Sequence, residues 1–421
     1  MTDVRTGEAV APPPGASART RGVLGRLGPA GVAVTASGLL VNALGYVVPL
    51  LGARQLTAEG LSTLATVLAI GAIATVPGLG LQAALAVEWA RHGGVPNASR
   101  GTAVTAAATG AVLLAGLPVF LVALRLPVLP VLLVAATTVA VVLASRWLGE
   151  FQGTKRFGLL ALAMSMVAIG RYGGVVVGLV AGAGVTGSLA LGAVVGWLLL
   201  PAIAVLARRS RPSGPAPGPA PSSTDGSPGH LTVRAVAGAG GATLAMLATS
   251  YADLILARGL LAPDQAGAYA VGAVLTKGAL WAPQVVTLLV LPWLAQGNRR
   301  ALAVALGAVS ASGLVLVVAS AVAGDLAMWM AGGGAYTSLG RYAAGFALVG
   351  ALYAIAFVLV NAEVAAKVRW PGAPLWVALV GLVVATRMLS SPTVGSVLAA
   401  SAGTATLAVL IMSVSLRLRR P

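Results

Sequence analysis

The chain has 421 residues, of which 58% are apolar and only 9% are charged, whereas an average soluble domain carries about 25% charged residues. These values exclude a soluble globular domain and indicate a polytopic membrane protein. The net charge of +17 suggests nucleic acid or an anionic membrane surface as a partner, and the absence of cysteine excludes disulfides, thiol catalysis and thiolate metal sites.

Apolar runs of about 20 residues, each long enough to cross a hydrocarbon core of about 30 Å as a helix, recur along the chain and predict an all-α fold of about twelve transmembrane helices. We predict a cytoplasmic basic tail (1–27), an N-terminal six-helix lobe (28–207), a cytoplasmic Pro- and Ser-rich linker (208–234), a C-terminal six-helix lobe (235–416) and a second basic tail (417–421). The predicted helices are 28–53, 61–86, 102–124, 128–147, 158–182, 187–207, 235–257, 267–294, 301–323, 341–362, 373–390 and 395–416.

The distribution of Lys and Arg predicts the orientation. With the N-terminus in the cytoplasm, 20 of the 27 bases fall in cytoplasmic segments and five in outer ones, while Arg171 and Lys277 fall within helices. Cytoplasmic loops of membrane proteins carry such an excess of bases, so we predict a multi-pass protein of the cell membrane with both termini inside. Attraction of these bases to anionic lipids then explains the positive charge without nucleic acid.

Two hairpins of the chain share one plan. Residues 46–77 begin at Tyr46 and run through Ala-Arg and an acid to a proline, and residues 251–283 begin at Tyr251 and do the same. Chance similarity among apolar helices is the alternative explanation. A repeat of six helices, an even number, preserves orientation and places a pseudo-two-fold axis along the membrane normal. This arrangement predicts a transporter with its cavity between the lobes.

Three stretches carry a family resemblance: NALGYVVPLLGARQLTAEG at 42–60, GEFQGTKRFG at 149–158 and YADLILARGLLAPDQAGAYAVGAVLTKGALWAP at 251–283. They resemble the polysaccharide-exporter (Wzx-like) branch of the MOP flippase superfamily, which also contains the MATE drug antiporters and the lipid II flippases. The resemblance implies a two-lobed MATE/MOP-like fold that alternates between inward-open and outward-open shapes. It also implies that lipid-linked oligosaccharide is flipped to the outer leaflet for surface polysaccharide biosynthesis, with H⁺ or Na⁺ as coupling ion and a glycan polymerase or glycosyltransferases as partners.

Two bases inside predicted helices are candidates for binding that substrate. Arg171 lies about 20 Å into its helix, where a bare charge costs about 2.5–3.5 kcal/mol, so it must face water or a partner. A guanidinium in the cavity would bind a pyrophosphate through bidentate hydrogen bonds, and an interhelical contact is the alternative. Lys277 is a second candidate contact for the anionic head, or a purely structural cation.

Further polar residues complete the candidate site. A buried carboxylate at Asp253 can take up a proton or help bind Na⁺, or it pairs with a base such as Arg258. Counting residues places Asp253 and Lys277 about two helical turns apart in depth. Arg54 and Arg258 occupy matching outer helix ends, where arginines usually reach headgroups and could also contact substrate. Weaker polar candidates are Asn42, Gln82, Asn361 and Glu363.

Three other functions compete with the flippase. A MATE-type antiporter would exchange an organic cation for H⁺ or Na⁺, although two bases and few acids in the membrane core disfavour a cationic substrate. A scaffold for glycan assembly is a non-transport alternative. An enzyme is not predicted, because the short loops carry no phosphate loop, catalytic carboxylate pair or nucleophile constellation. No cofactor or metal is expected either, since His92 and His230 lie alone in loops.

Overall fold

A computed structural model describes residues 29–210, 233–281, 299–366, 368 and 370–418, and within these ranges the chain is helical with no β-strand. The predicted N-terminal tail, residues 419–421 of the predicted C-terminal tail, most of the predicted linker, the end of the eighth predicted helix, and Lys367 and Arg369 lie outside the described residues. The first lobe, as we use the term, comprises helices α1 to α9, and the second lobe comprises α10 to α16. The division of the chain into two lobes and a linker stays a prediction.

The first lobe contains the six predicted spans, three of them broken. Its elements are α1 (Pro29–Gln55), α2 (Ala58–Ala74), α3 (Val76–His92), α4 (Ala98–Ala115), α5 (Leu117–Val122), α6 (Val128–Gly153), α7 (Phe157–Ala168), a π-helical turn (Ile169–Gly173), α8 (Gly174–Val180) and α9 (Gly184–Arg209). Pro77 and Pro118 lie in the first turns of α3 and α5. Because proline has no N–H to donate, it interrupts a helix and is tolerated in a first turn, which accounts for two of the breaks.

The second lobe contains the remaining spans and two elements that the sequence did not predict. Its elements are α10 (Val233–Leu260), α11 (Pro263–Trp281), α12 (Arg299–Val322), α13 (Gly324–Gly332), a 3₁₀ helix (Gly334–Leu339), α14 (Gly340–Ala365), α15 (Ala373–Arg387) and α16 (Val394–Leu418). Helix α13 and the 3₁₀ helix occupy the connection between the ninth and tenth predicted spans, which we expected to be a loop.

In the described part of the chain, nine helical runs are long and apolar enough to cross a membrane. Fewer than twelve qualify because α4 ends at Ala115, α11 is described only to Trp281 and α15 has just 15 residues. The predicted fold class, an all-α polytopic membrane protein, is confirmed.

The two repeated hairpins contact each other. Helices α2 and α3 pack against α10, and α2 also packs against α11. Small residues permit this approach: a Cβ on Gly80 would lie 2.4 Å from the Val236 carbonyl oxygen, and one on Gly267 would lie 2.6 Å from that of Ala58. Close backbone approach at glycine is how membrane helices gain packing contacts without a hydrophobic driving force. The lobes are therefore joined along α2, α3, α10 and α11.

Candidate functional site

A cavity of about 200 Å³ lies between the two hairpins. Helices α1 and α2 form one wall, and α10 and α11 form the other. The polar and aromatic side chains that line it are Asn42, Tyr46, Tyr172, Tyr251, Lys277 and Trp281. It is thus an aromatic cavity with one ammonium group in its wall.

Lys277 brings the charge into this cavity. Its ammonium group donates hydrogen bonds to the backbone carbonyl oxygen of Ser250 and, at 3.3 Å, to the Ser250 hydroxyl. It also lies 3.4 Å from the centroid of the Tyr251 ring, where a cation is attracted to the negative face of the aromatic system. The Tyr46 hydroxyl donates to the carbonyl oxygen of Lys277, so both lobes contact this residue.

Asp253 lies in the same helix as Ser250 but faces the interior of the second lobe. It is 2% exposed. Its carboxylate accepts hydrogen bonds from the Tyr269 hydroxyl at 3.0 Å and from the Leu254 backbone N–H at 2.8 Å. Two hydrogen bonds offset part of the cost of burying a carboxylate, and they hold Asp253 behind the cavity wall.

Lys277 and Asp253 are closer in depth than residue counting predicted. The Lys277 ammonium binds Ser250, which is three residues from Asp253 and therefore about 4.5 Å from it along the helix axis. In a helix the Cα–Cβ bonds tilt toward the N-terminus, and the N-terminus of α11 lies at the same end as Asp253. The lysine side chain therefore extends toward the level of Asp253, which reduces the expected separation of two turns to about one.

Arg171 lies beside the cavity rather than in its wall. It belongs to the π-helical turn and borders two smaller voids of about 20 Å³ each inside the first lobe. Its guanidinium lies 5.2 Å from the ring centroid of Tyr172, a residue that does line the cavity. π-helical turns are frequent at functional sites. Arg171 thus contacts the cavity wall through Tyr172.

The two matched arginines, Arg54 and Arg258, differ in their surroundings, and neither lines the cavity. Arg54 is exposed at the end of α1. Arg258 is buried, and its guanidinium donates to the carbonyl oxygens of Leu124 and Arg125 in the first lobe. The expectation that both arginines reach lipid headgroups therefore does not hold for Arg258, because its side chain is bound to protein backbone.

Of the weaker polar candidates, only Asn42 lines the cavity. Gln82 donates to the side-chain carbonyl of Gln152 at 3.0 Å. Asn361 donates to the carbonyl of Phe357 within its own helix. Buried Glu363 accepts from the Gly372 N–H and the Ser415 hydroxyl, which ties the loop before α15 to α14 and α16.

The aromatic residues of the cavity were not predicted as site residues. Tyr46 and Tyr251 served only as landmarks of the repeat, although their equivalent positions already signalled a shared environment. Tyr172 follows Arg171 directly in the sequence. Among the described residues no group of three His, Cys, Asp or Glu side chains could hold a metal ion.

Comparison with known proteins identifies the fold. No family model and no curated protein matches the chain. Among solved structures, an inward-facing multidrug resistance MATE family transporter of the MOP superfamily is 14% identical with a TM-score of 0.62, covering 90% of this chain and 94% of that one. An outward-facing structure of such a transporter is also 14% identical, with a TM-score of 0.59 and coverage of 92% and 94%. The eukaryotic MATE transporter AtDTX14 is 11% identical, with a TM-score of 0.60 and coverage of 96% of both chains. The chain therefore has the fold of these transporters.

Proposed function

We propose that the chain is an alternating-access membrane transporter that flips a polyprenyl-diphosphate-linked oligosaccharide from the cytoplasmic to the outer leaflet for surface polysaccharide biosynthesis. The observation that carries this proposal is the Lys277 ammonium in the wall of an aromatic cavity between the lobes. In a transporter built from two repeats, the substrate site lies at the repeat interface near the bilayer midplane.

The charge of the cavity favours an anionic head. An ammonium group makes charge-assisted hydrogen bonds to phosphate oxygens, and these are about twice as strong as neutral ones. Lys277 is held by a carbonyl, a hydroxyl and an aromatic face, all of them neutral groups that an anion can outcompete. A diphosphate would therefore draw the ammonium from Ser250, while Asn42 offers an amide donor on the opposite wall.

The size and the aromatic walls of the cavity fit the rest of this substrate. Sites that enclose a drug-sized ligand measure about 300–1,000 Å³, so a cavity of about 200 Å³ holds part of a head group and not a polyprenyl chain. The exposed apolar residues Leu39 and Leu40 of α1 provide a surface against which the lipid tail would lie. Aromatic rings bind the apolar faces of sugars through burial of apolar area and through their hydroxyl or N–H groups.

Asp253 is the proposed site of the coupling ion. The carboxylate is buried one helical turn from the contact of Lys277 with Ser250, so binding of H⁺ or Na⁺ there would respond to movement of the ammonium. We expect Asp253→Asn to retain substrate exchange between equal pools and to lose the stimulation by an imposed H⁺ or Na⁺ gradient. Equal stimulation of the Asn variant and the unmodified protein would exclude this role.

A MATE-type antiporter that exchanges a drug or metabolite for H⁺ or Na⁺ is the second candidate. Two of the similar solved structures are multidrug resistance transporters, and four aromatic residues in the cavity would bind an organic cation through cation–π contacts. The positive charge of Lys277 opposes such a substrate. The two functions therefore predict opposite preferences for the charge of the substrate.

Reconstituted protein distinguishes these candidates. We expect proteoliposomes to translocate a fluorescent polyprenyl-diphosphate oligosaccharide, and excess unlabelled lipid-linked diphosphate to inhibit this while organic cations do not. Depletion in cells should leave the lipid-linked glycan on the cytoplasmic leaflet. Gradient-driven uptake of organic cations, with no movement of the labelled glycan lipid, would instead establish the antiporter. A folded Lys277→Met variant that keeps normal surface polysaccharide would favour a scaffold.

A further inference from the structure

Arg258 connects the second lobe to the backbone of the first. It lies in the last turn of α10 and is 6% exposed. Its Nε donates to the carbonyl oxygen of Leu124 at 3.2 Å, and its Nη2 donates to that of Arg125 at 3.1 Å. Both carbonyls belong to the turn between α5 and α6. One guanidinium thus binds two consecutive carbonyls of the other lobe.

The turn that receives Arg258 has an unusual backbone. Arg125 has a φ of 50°, in the left-handed region that residues with a side chain rarely adopt. Such conformations persist where surrounding contacts hold them. Here the Leu126 N–H donates to the Phe120 carbonyl at 3.1 Å, which closes the turn. Arg258 binds the carbonyls of the two residues that precede Leu126. The receiving turn is therefore held both by its own hydrogen bond and by Arg258.

Two close approaches of backbone surround the same contact. A Cβ on Gly259 would lie 2.9 Å from the carbonyl oxygen of Ala123, and one on Gly267 would lie 2.6 Å from that of Ala58. No water fits between backbones at these distances. The hairpin turns of the two lobes and the α5–α6 turn therefore pack closely together at this end of the molecule.

We propose that Arg258 is a reversible latch that holds the two lobes together at the end of the molecule where α10 ends and α11 begins, and that it is released when the lobes separate. The proposal rests on the proposed alternating access. Separation of the lobes must break both carbonyl contacts, because they join residues of different lobes.

The chemistry of the contact suits a latch better than a permanent joint. The guanidinium binds neutral carbonyls, and its nearest acid is Glu59, whose carboxylate lies 3.8 Å away and is 67% exposed. Because the Glu59 carboxylate is solvated and lies 3.8 Å away, this ion pair contributes little. When the latch opens, Arg258 and both carbonyls reach water at the end of the helix, so no charge is left buried without a partner.

The natural absence of cysteine allows a direct test. Ala72→Cys places a thiol in the cavity, and Gln265→Cys places one on the exposed first turn of α11, at the latch end. A membrane-impermeant maleimide is added to either side of the membrane, and the side that labels Gln265→Cys is the latch side. The labelling rate of Ala72→Cys from that side then measures how often the latch end is open.

We expect Arg258→Gln to raise this rate about tenfold or more, since the loss of even one of the two hydrogen bonds to a charged group shifts the balance by about tenfold. Arg54→Gln, at the matching and exposed position of the first hairpin, should leave the rate unchanged. An unchanged rate in Arg258→Gln, or an equal rise in Arg54→Gln, would overturn the proposal. If Arg258→Gln is not monodisperse after purification, Arg258→Lys is judged in its place by the same criteria, because an ammonium cannot reproduce the fork of two donors.

Labelling requires no substrate. A chain that flips no lipid-linked glycan would still show the latch, and a confirmed flippase with unchanged labelling would lack it, so the two proposals can fail separately.

Discussion

The two repeated hairpins, α1–α2 and α10–α11, share a backbone plan but not their chemistry. Counting from the matched residues Tyr46 and Tyr251, Val48 of the first hairpin corresponds to Asp253 of the second. By the same count Ala72 corresponds to Lys277. Both tyrosines, Ala72 and Lys277 line the cavity, so the repeat preserves which positions face it. At these two pairs of positions the second hairpin carries the charged residues Asp253 and Lys277, where the first carries Val48 and Ala72.

The matched arginines extend this contrast to the hairpin ends. Arg54 is exposed, whereas Arg258 is buried against the carbonyls of the first lobe. The first hairpin therefore supplies an uncharged wall of the cavity, the α5–α6 turn of its lobe supplies the receiving backbone, and the second hairpin supplies Lys277 and Arg258. Equivalent positions in a structural repeat thus share a location without sharing a role, and each role has to be read from the contacts of the individual side chain.

Of the changes that test this difference between the hairpins, removal of the positive charge at Lys277 should have the largest effect on the flipping rate. Lys277→Met keeps the length and the apolar stem of the side chain but cannot donate to a phosphate. A hydrogen bond to a charged group contributes about 1.5–3 kcal/mol, so we expect the rate of lipid-linked glycan flipping at low substrate to fall about 10- to 100-fold. Lys277→Arg, which keeps the charge, should retain most of the rate. Full activity of Lys277→Met in proteoliposomes would show that the asymmetry of the hairpins has no part in substrate binding.

The sequence predicts the helices better than it predicts the site. Apolar runs locate each span because twenty apolar residues cross a bilayer only as a helix. Interruptions within a span are harder to predict from the sequence. Pro77 indicates the interruption before α3, but the π-helical turn around Arg171 depends on packing. A Cβ on Gly174 would lie 2.4 Å from the Leu191 carbonyl oxygen of α9. The local sequence does not indicate that α9 packs this closely against the residues that follow the π-helical turn.

The site was predicted in part for a similar reason. A charge inside an apolar run has to be accommodated, which singled out Lys277, Asp253 and Arg171 from the sequence. Which wall each residue occupies depends on helix rotation, and that is set by neighbours distant in the chain. The aromatic residues of the cavity carry no charge, so nothing in their local sequence separated Tyr172 from a lipid-facing or packing residue.

The two hairpins also differ in how tightly their second helices pack against the rest of the lobe. By the same count Gly272 corresponds to Val67, yet a Cβ on Gly272 would lie 2.1 Å from the Phe346 ring. That ring is buried and packs edge-on against Tyr269 at 5.1 Å between centroids, so it cannot move aside. We expect Gly272→Ala to destabilise the protein by about 1–3 kcal/mol, measured as a lower midpoint of thermal unfolding in detergent.

The matched control for Gly272→Ala lies on the same helix. A Cβ on Gly278 meets no atom within 4 Å, and alanine is favoured over glycine in a helix by about 0.5–1 kcal/mol. Gly278→Ala should therefore leave the unfolding midpoint unchanged or raise it slightly. Equal losses in both variants would mean that the aromatic pair does not determine the need for glycine at position 272.

The smallest effects are expected from the two matched tyrosines, and they should be unequal. The Tyr46 hydroxyl donates to the Lys277 carbonyl, so Tyr46→Phe loses a hydrogen bond with a net contribution of about 0.5–1.5 kcal/mol and should weaken apparent substrate affinity several-fold.

Tyr251 contacts the Lys277 ammonium through its ring. Because phenylalanine keeps the aromatic face that attracts a cation, Tyr251→Phe should change the apparent substrate affinity less than Tyr46→Phe does. Leucine lacks an aromatic face, so Tyr251→Leu should change this affinity more than Tyr251→Phe does. Substrate titrations of flipping in proteoliposomes rank the three variants. A larger loss in Tyr251→Phe than in Tyr46→Phe would mean that the second tyrosine acts through its hydroxyl, and that the equivalent residues share a chemical role after all.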